Sequence, residues 1–140
     1  MDQRPRFHLA FPVRDLDEAR DFYGGLLGCA EGRSAKDWVD FDFFGHQIVA
    51  HKTAQPEVPF VTNEVDDEQV PVRHFGVILD MDLWSTVTDR LRDAGVIFLI
   101  EPQVRFRGRP GEQATCFFLD PSGNAIEIKA FAEDSQVFAR

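Results

Sequence analysis

The chain carries one short pattern twice, and that duplication restricts its fold more than any other feature. The first copy opens FHLAFPVRDLDEARDFYGGLLG over 7–28, the second RHFGVILDMDLWSTVTDRLRDAG over 73–95. Each begins with a strand that has histidine in second place. Each then turns through an aspartate-containing corner, runs an amphipathic helix and stops at a glycine. In the first helix Asp15 is the expected N-cap, with Glu18 at capping-box spacing. Leu16, Ala19, Phe22, Tyr23, Leu26 and Leu27 make its apolar stripe, and Gly28 ends it. In the second helix Asp82 is the expected cap. Trp84, Val87, Leu91 and Ala94 form that stripe, and Gly95 closes it.

Strand-like runs follow both helices. The first copy has a poorly marked strand near Cys29–Arg33, then WVDFDFF (38–44), a Gly45-His46 corner and QIVAHKT (47–53). The second has VIFLI (96–100), QATCFFLD (113–120), a Pro121-Ser122-Gly123-Asn124 turn and AIEIKAF (125–131). The pattern is one 140-residue domain of two βαβββ modules, 7–53 and 73–131. Residues 54–72, with Pro56, Pro59, Pro71 and an acidic cluster from Glu64 to Glu68, read as a linker without strand or helix. The polar tail after Phe131 is expected to fray or to pack on a neighbour.

Alternation along a strand tells which residues share a face. Phe7, Leu9, Phe11 and Val13 should face the first helix, which turns His8, Ala10 and Pro12 the other way. Phe75, Val77 and Leu79 should face the second, leaving His74, Gly76 and Ile78 opposite. In the last strand Ile126, Ile128 and Ala130 take the helix side, so Glu127 joins the two histidines. Singly, a strand histidine is most often structural, and Glu127 could be a solvent-facing carboxylate. Together they either form a hydrogen-bonded trio or share a divalent cation with positions left for water and substrate. The ligand types favour the cation, since an unpaired buried carboxylate is costly.

A formal charge of −9 excludes nucleic acid and anionic membranes as expected partners, since both need a basic surface. No apolar run is long enough to span a bilayer, and MDQRPRF lacks a secretory apolar stretch. A cytoplasmic protein is therefore expected. Cys29 and Cys116 fit free thiols in a reduced compartment, with a disulfide as the alternative. Arg105, Arg107 and Arg109 read as a solvated loop or, alternatively, as a clamp in which Arg109 meets an anionic substrate.

The segment His8–Gly28 fits H-x-x-x-x-V-x-D-L-x-x-A-x-x-F-Y-x-x-L-L-G, and Asp120–Glu127 fits D-P-S-G-N-x-I-E. On these motifs the chain resembles the vicinal oxygen chelate superfamily: glyoxalase I, fosfomycin and bleomycin resistance proteins, and extradiol dioxygenases. The resemblance covers 7–53 and 73–131. It implies an α+β fold whose paired modules curl into a half-open barrel around one metal, with ligands His8, His74 and Glu127. It also implies a small-molecule substrate and a homodimer, with a site inside one chain or shared between two.

Glyoxalase I has a fourth, Glu or Gln ligand in the last strand of its first module. Aligning Gly45 with Gly123 puts Val49 there in this chain. The resemblance then leans towards extradiol dioxygenases, with His51 on the cavity face as the acid–base residue. A fourth ligand and a solvent-exposed strand end are the other roles open to His51. Trp38, Asp40, Gln47 and Phe117 are expected in the substrate-binding wall, and His46 in the turn. Iron(II) or manganese(II) would suit a dioxygenase; zinc or nickel would suit a glyoxalase-like lyase, isomerase or thiol transferase. A non-enzymatic drug-binding protein is the third possibility.

Overall fold

The computed structural model describes residues 4–54 and 61–140. Pro56 and Pro59 of the expected linker lie outside the described residues. The chain divides into two compact units. The first holds strands β1 (His8–Val13), β2 (Ala30–Ala35), β3 (Trp38–Phe43) and β4 (His46–Lys52), the first helix, and the turn Asp120–Asn124. The second holds β5 (Val61–Val65), β6 (Glu68–Val72), β7 (Phe75–Leu79), helix α2 (Met81–Asp93), β8 (Phe98–Arg105), β9 (Gln113–Leu119) and β10 (Ala125–Phe131).

Each unit contains one βαβββ module with an open, mixed four-stranded sheet. Strand order is β1-β4-β3-β2 in one and β7-β10-β9-β8 in the other. In both, the first strand runs parallel to the last, and the last three form antiparallel pairs. The duplicated sequence has thus folded into duplicated topology. No described helix is long and apolar enough to cross a membrane.

The first helix begins as expected. Asp15 is extended, and its carboxylate accepts from the Glu18 backbone N–H, a cap typically worth about 1 kcal/mol. After one α-helical turn, α1 (Leu16–Ala19), the backbone widens into a π-helical stretch over Arg20–Leu26. A regular helix was the expectation from the apolar spacing. Gly24 and Gly25 weaken the α preference here, and the wider turn closes through Leu27 N–H to the Phe22 carbonyl. Leu16, Ala19, Phe22, Tyr23 and Leu27 are buried. Tyr23 sits at the centre, its ring 5.2 Å from Phe11, 5.0 Å from Phe22 and 5.6 Å from Phe41.

In α2 the cap is Asp80, not Asp82. Asp80 is the extended residue, and its carboxylate accepts from Leu83 N–H; Asp82 lies in the first turn. The buried stripe is Trp84, Val87, Thr88 and Leu91, whereas Ala94 is exposed at the C-cap. Thr88 is tolerated because its hydroxyl donates to the Trp84 carbonyl. The Trp84 indole donates to the Ile128 carbonyl, which fixes α2 on β10.

Two further expectations change. Residues 61–72 are not a strandless linker: β5 and β6 pair antiparallel, Val61 with Val72 through to Val65 with Glu68. His46 opens β4 rather than occupying the corner, which Phe44 and Gly45 make with positive φ. Cys29 and Cys116 are buried free thiols, and burial pushes each up to about 12.

Candidate metal centre

The helix-facing sides of both sheets are dry. Phe11, Val13, Val39, Phe41, Phe43 and Ile48 are buried in the first module; Ala114, Cys116, Phe118, Ile126, Ile128 and Ala130 in the second. The exceptions among the residues expected on that side are Phe7, 63% exposed ahead of β1, and Leu9, Phe75 and Val77, which are half-buried. The opposite faces carry the polar residues singled out above.

In the second unit, β10 places Glu127 between Gly76 of β7 and Phe117 of β9. Its flanking residues, Ile126 and Ile128, are fully buried, so Glu127 is turned away from α2 as expected. His74 lies one residue before β7, not within it. Its Nε2 is 3.3 Å from Glu127 Oε1, and both side chains are largely covered (28% and 16% exposed). The other imidazole nitrogen, Nδ1, is 2.6 Å from the Pro71 carbonyl, so that nitrogen carries the proton. The other Glu127 oxygen accepts from the Thr115 hydroxyl at 2.5 Å. Phe117 meets the His74 ring edge-on at 4.9 Å between centroids.

Hydrogen bonding to Glu127 raises the His74 pKa above its ordinary value, against partial burial and with help from the Pro71 carbonyl. Burial tends to raise that of Glu127, but hydrogen bonds from His74 and Thr115 outweigh it and hold the carboxyl below its ordinary range. Each group thus favours the charged form of the other, and the two are an ion pair when His74 is protonated.

The β5–β6 hairpin contributes to this same face. Val70 packs with Ile100 and Phe117, Pro71 orients His74, and Asp66 in the hairpin turn is 3.4 Å from the Arg105 guanidinium. Thr115 and Pro71 are site residues that strand alternation did not single out. The Thr115 hydroxyl reaches Glu127 diagonally, and Pro71 acts through its backbone carbonyl.

In the first unit, His8 pairs with Gln47 in register and its Nδ1 lies 2.7 Å from Gln47 Oε1. The Gln47 amide in turn donates to Asp40 at 3.2 Å. Gln47 is thus engaged with His8. Successive cross-strand rows Ala10–Val49–Asp40 and Pro12–His51–Trp38 share this face. Within the β1–β4 pairing Val49 stands opposite Ala10, as Glu127 stands opposite Gly76, so the repeat alignment holds and the counterpart of Glu127 is apolar. His51 is exposed near the end of β4, and Trp38 is half-buried. Arg109 is exposed in the β8–β9 loop, its guanidinium 5.9 Å from the Phe106 ring centroid.

Among the described residues no three His, Cys, Asp or Glu side chains are gathered as a cation site requires. The expected trio is represented by the His74–Glu127 pair in one unit and His8 in the other. The donor chemistry nevertheless fits a divalent metal. Both imidazoles are anchored through Nδ1, which leaves the Nε2 lone pair as the ligand atom, the second-shell arrangement of metal-bound histidines. His74 Nε2 and Glu127 Oε1, 3.3 Å apart, are the atoms of this pair that would hold a cation.

A βαβββ duplication with this donor arrangement defines a protein of the vicinal oxygen chelate class. The model of the Glyoxalase/Bleomycin resistance protein/Dioxygenase superfamily matches residues 7–128, and the chain belongs to that family. Among solved structures, it is similar to a glyoxalase/bleomycin resistance protein/dioxygenase from Alicyclobacillus acidocaldarius. Identity there is 35%, coverage 98% of each chain and TM-score 0.78. The fold is shared with the fosfomycin resistance protein FosX from Listeria monocytogenes, at 18% identity, TM-score 0.66, and 91% and 93% coverage of this chain and that one. It is shared too with a virulence protein from Salmonella typhimurium, at 23% identity, TM-score 0.62, and 94% and 98% coverage. No curated protein matches the chain.

Proposed function

We propose that the protein is a divalent-metal-dependent enzyme acting on a small anionic substrate that offers two neighbouring oxygens. The observation that carries this reading is the His74–Glu127 pair, pre-oriented by Pro71 and Thr115 with Nε2 and a carboxylate oxygen aimed at each other. His8, held by Gln47 in the matching tautomer, is the third ligand, supplied by the same chain or by a second copy in a homodimer. A cation held there supplies a Lewis acid that polarises the substrate oxygens and stabilises the anion formed.

The reaction is of the extradiol-dioxygenase kind, with iron(II) or manganese(II). Val49 at the counterpart of Glu127 leaves no fourth acidic ligand, which disfavours a glyoxalase I type of site with zinc or nickel. His51 lies one row from Val49 on the same face and is exposed, where an imidazole can take or deliver a substrate proton. Trp38, Phe117 and Arg109 are proposed to contact the substrate, and Gln47 acts chiefly through His8. The likeness to FosX motivates a second reading, an enzyme that modifies fosfomycin on the same metal site.

Elemental analysis of the untreated protein tests the proposal. One equivalent of metal per site is expected in the wild type, with little in Glu127→Gln or His74→Ala although both remain folded. Oxygen uptake with catechols, against consumption of fosfomycin, separates the two reactions. Mixed dimers carrying His8→Ala in one chain and Glu127→Gln in the other report which chain supplies His8. Full metal content in both ligand variants would end the proposal.

A further inference from the structure

The Glu127 face continues along the sheet beyond the candidate ligands. One row along from Glu127–Phe117, the register brings together Lys129 of β10, Thr115 of β9 and Gln103 of β8. A row further stand Phe131, Gln113 and Arg105. Paired residues on neighbouring strands share a face, so Lys129, Gln103 and Arg105 stand on the side that carries Glu127.

These two cations differ in their commitments. Arg105 is ion-paired with Asp66 at 3.4 Å. Among the described residues no carboxylate is ion-paired with Lys129, whose ammonium lies 5.7 Å from the Phe131 ring centroid. The adjacent carboxylate, Glu127, already has one oxygen towards His74 and the other bonded to Thr115. Half-buried Lys129 thus acts on Glu127 only through its field, and among the described residues no direct ion pair joins its ammonium to a carboxylate. Solvation alone would allow an exposed lysine, but this one lies between the buried Thr115 and the Phe131 ring, where an anion gains more than in water.

We infer that Lys129, with Gln103 beside it, receives a second, anionic group of the substrate, one strand row away from the metal-chelating oxygens. This rests on the metal site proposed above and adds a substrate class to it: chelators carrying a carboxylate or phosphoryl group at a distance. Residues two apart on a strand are separated by about 7 Å, which sets the span between the chelating oxygens and the anionic group. Gln103 contributes an amide that can donate to the same anion.

The test compares two hydroxamate chelators on manganese-loaded protein, acetohydroxamate and succinic acid monohydroxamate, which differ by a distal carboxylate. Binding is measured by calorimetry for wild type, Lys129→Met and Lys129→Arg, with manganese affinity measured separately. The wild type should prefer the succinyl compound by about tenfold, the size of one charge-assisted contact. Lys129→Arg should keep most of the preference and Lys129→Met should lose it, while acetohydroxamate binding per manganese-loaded site is retained and manganese affinity does not fall. An equal preference in wild type and Lys129→Met overturns the anionic subsite and leaves the metal site standing. Failure of the wild type to bind manganese overturns both.

Discussion

A Cβ atom added to Gly76 would fall on the carbonyl oxygen of Glu127, its partner in the β7–β10 pairing. The glycine is therefore required by backbone proximity, at the point where the sheet fixes the candidate carboxylate ligand. Its counterpart in the first module, Ala10, carries a Cβ opposite Val49. The two modules thus differ at this row in both members: alanine with valine in one, glycine with glutamate in the other.

Gly76→Ala should consequently act on stability and on the site together. The methyl group forces β7 from β10, a form of overpacking that costs about 1–3 kcal/mol. Urea unfolding should show that loss, and manganese affinity should fall with it as Glu127 moves. Ala10→Gly, at the matching row of the first module, should cost no more than about 1 kcal/mol, mainly through backbone entropy. Unchanged stability in Gly76→Ala would show that the strands part here without penalty.

The His74–Glu127 pair sets a pH dependence in the metal-free protein. Hydrogen bonding to Glu127 raises the His74 pKa, so its contribution is complete below the ordinary value of 6.5 and is lost as pH rises through the raised one. For Glu127, burial opposes ionisation but His74 and Thr115 lower the pKa overall; its contribution is present above 4.5 and lost as pH falls through the lowered value. The difference in melting temperature between wild type and Glu127→Gln should be greatest between these limits and shrink on either side. Proton NMR should find the wild-type imidazole titrating above 6.5 and that of Glu127→Gln closer to it. Divalent metal should displace the His74 proton at pH values below the raised pKa, seen as buffer-dependent binding heat. An imidazole that titrates identically in both proteins would mean that Glu127 does not favour its charged form.

Much of this arrangement is legible in the residues. The repeat gives both modules, Asp15 announces its own cap, and the apolar alternation around Glu127 turns it to the face away from α2. Counting back from the Asp120–Asn124 turn even yields the Glu127–Phe117 pairing. What escapes is decided by tertiary contact. The β5–β6 segment holds acidic residues and Pro71, a composition that suits a linker; as a hairpin it packs Val70 on Ile100 and Phe117 and offers the Pro71 carbonyl to His74. Asp82 has the residue type of a cap, but Asp80 is the residue with extended backbone and takes the Leu83 N–H. Nothing local to Thr115 reveals that its hydroxyl reaches a carboxylate twelve residues on.

The D-P-S-G-N signature has a structural task that its proximity to Glu127 conceals. Asp120 is buried, and its carboxylate accepts from the backbone N–H groups of Ser122 and Asn124, the Asn124 amide, and the Tyr23 hydroxyl at 2.7 Å. The Asn124 amide also donates to the Pro12 carbonyl, and the Ser122 hydroxyl accepts from Arg14 N–H. The turn is thereby held in the first unit, against β1 and the π-helical stretch. Tyr23→Phe removes one of four donors to Asp120 and keeps the ring in its aromatic surroundings, so it should cost about 1–2 kcal/mol in urea unfolding. Asp120→Ala strands the buried Tyr23 hydroxyl and the turn N–H groups together, and should cost more than Tyr23→Phe. In the double variant the two losses should not add, because the Tyr23–Asp120 bond is counted in both. Metal content per folded molecule should stay near wild type in Tyr23→Phe, since the network contains neither candidate ligand nor second-shell partner. Additive losses would show the hydroxyl and the carboxylate to be independent, and loss of metal would give the turn a part in the site.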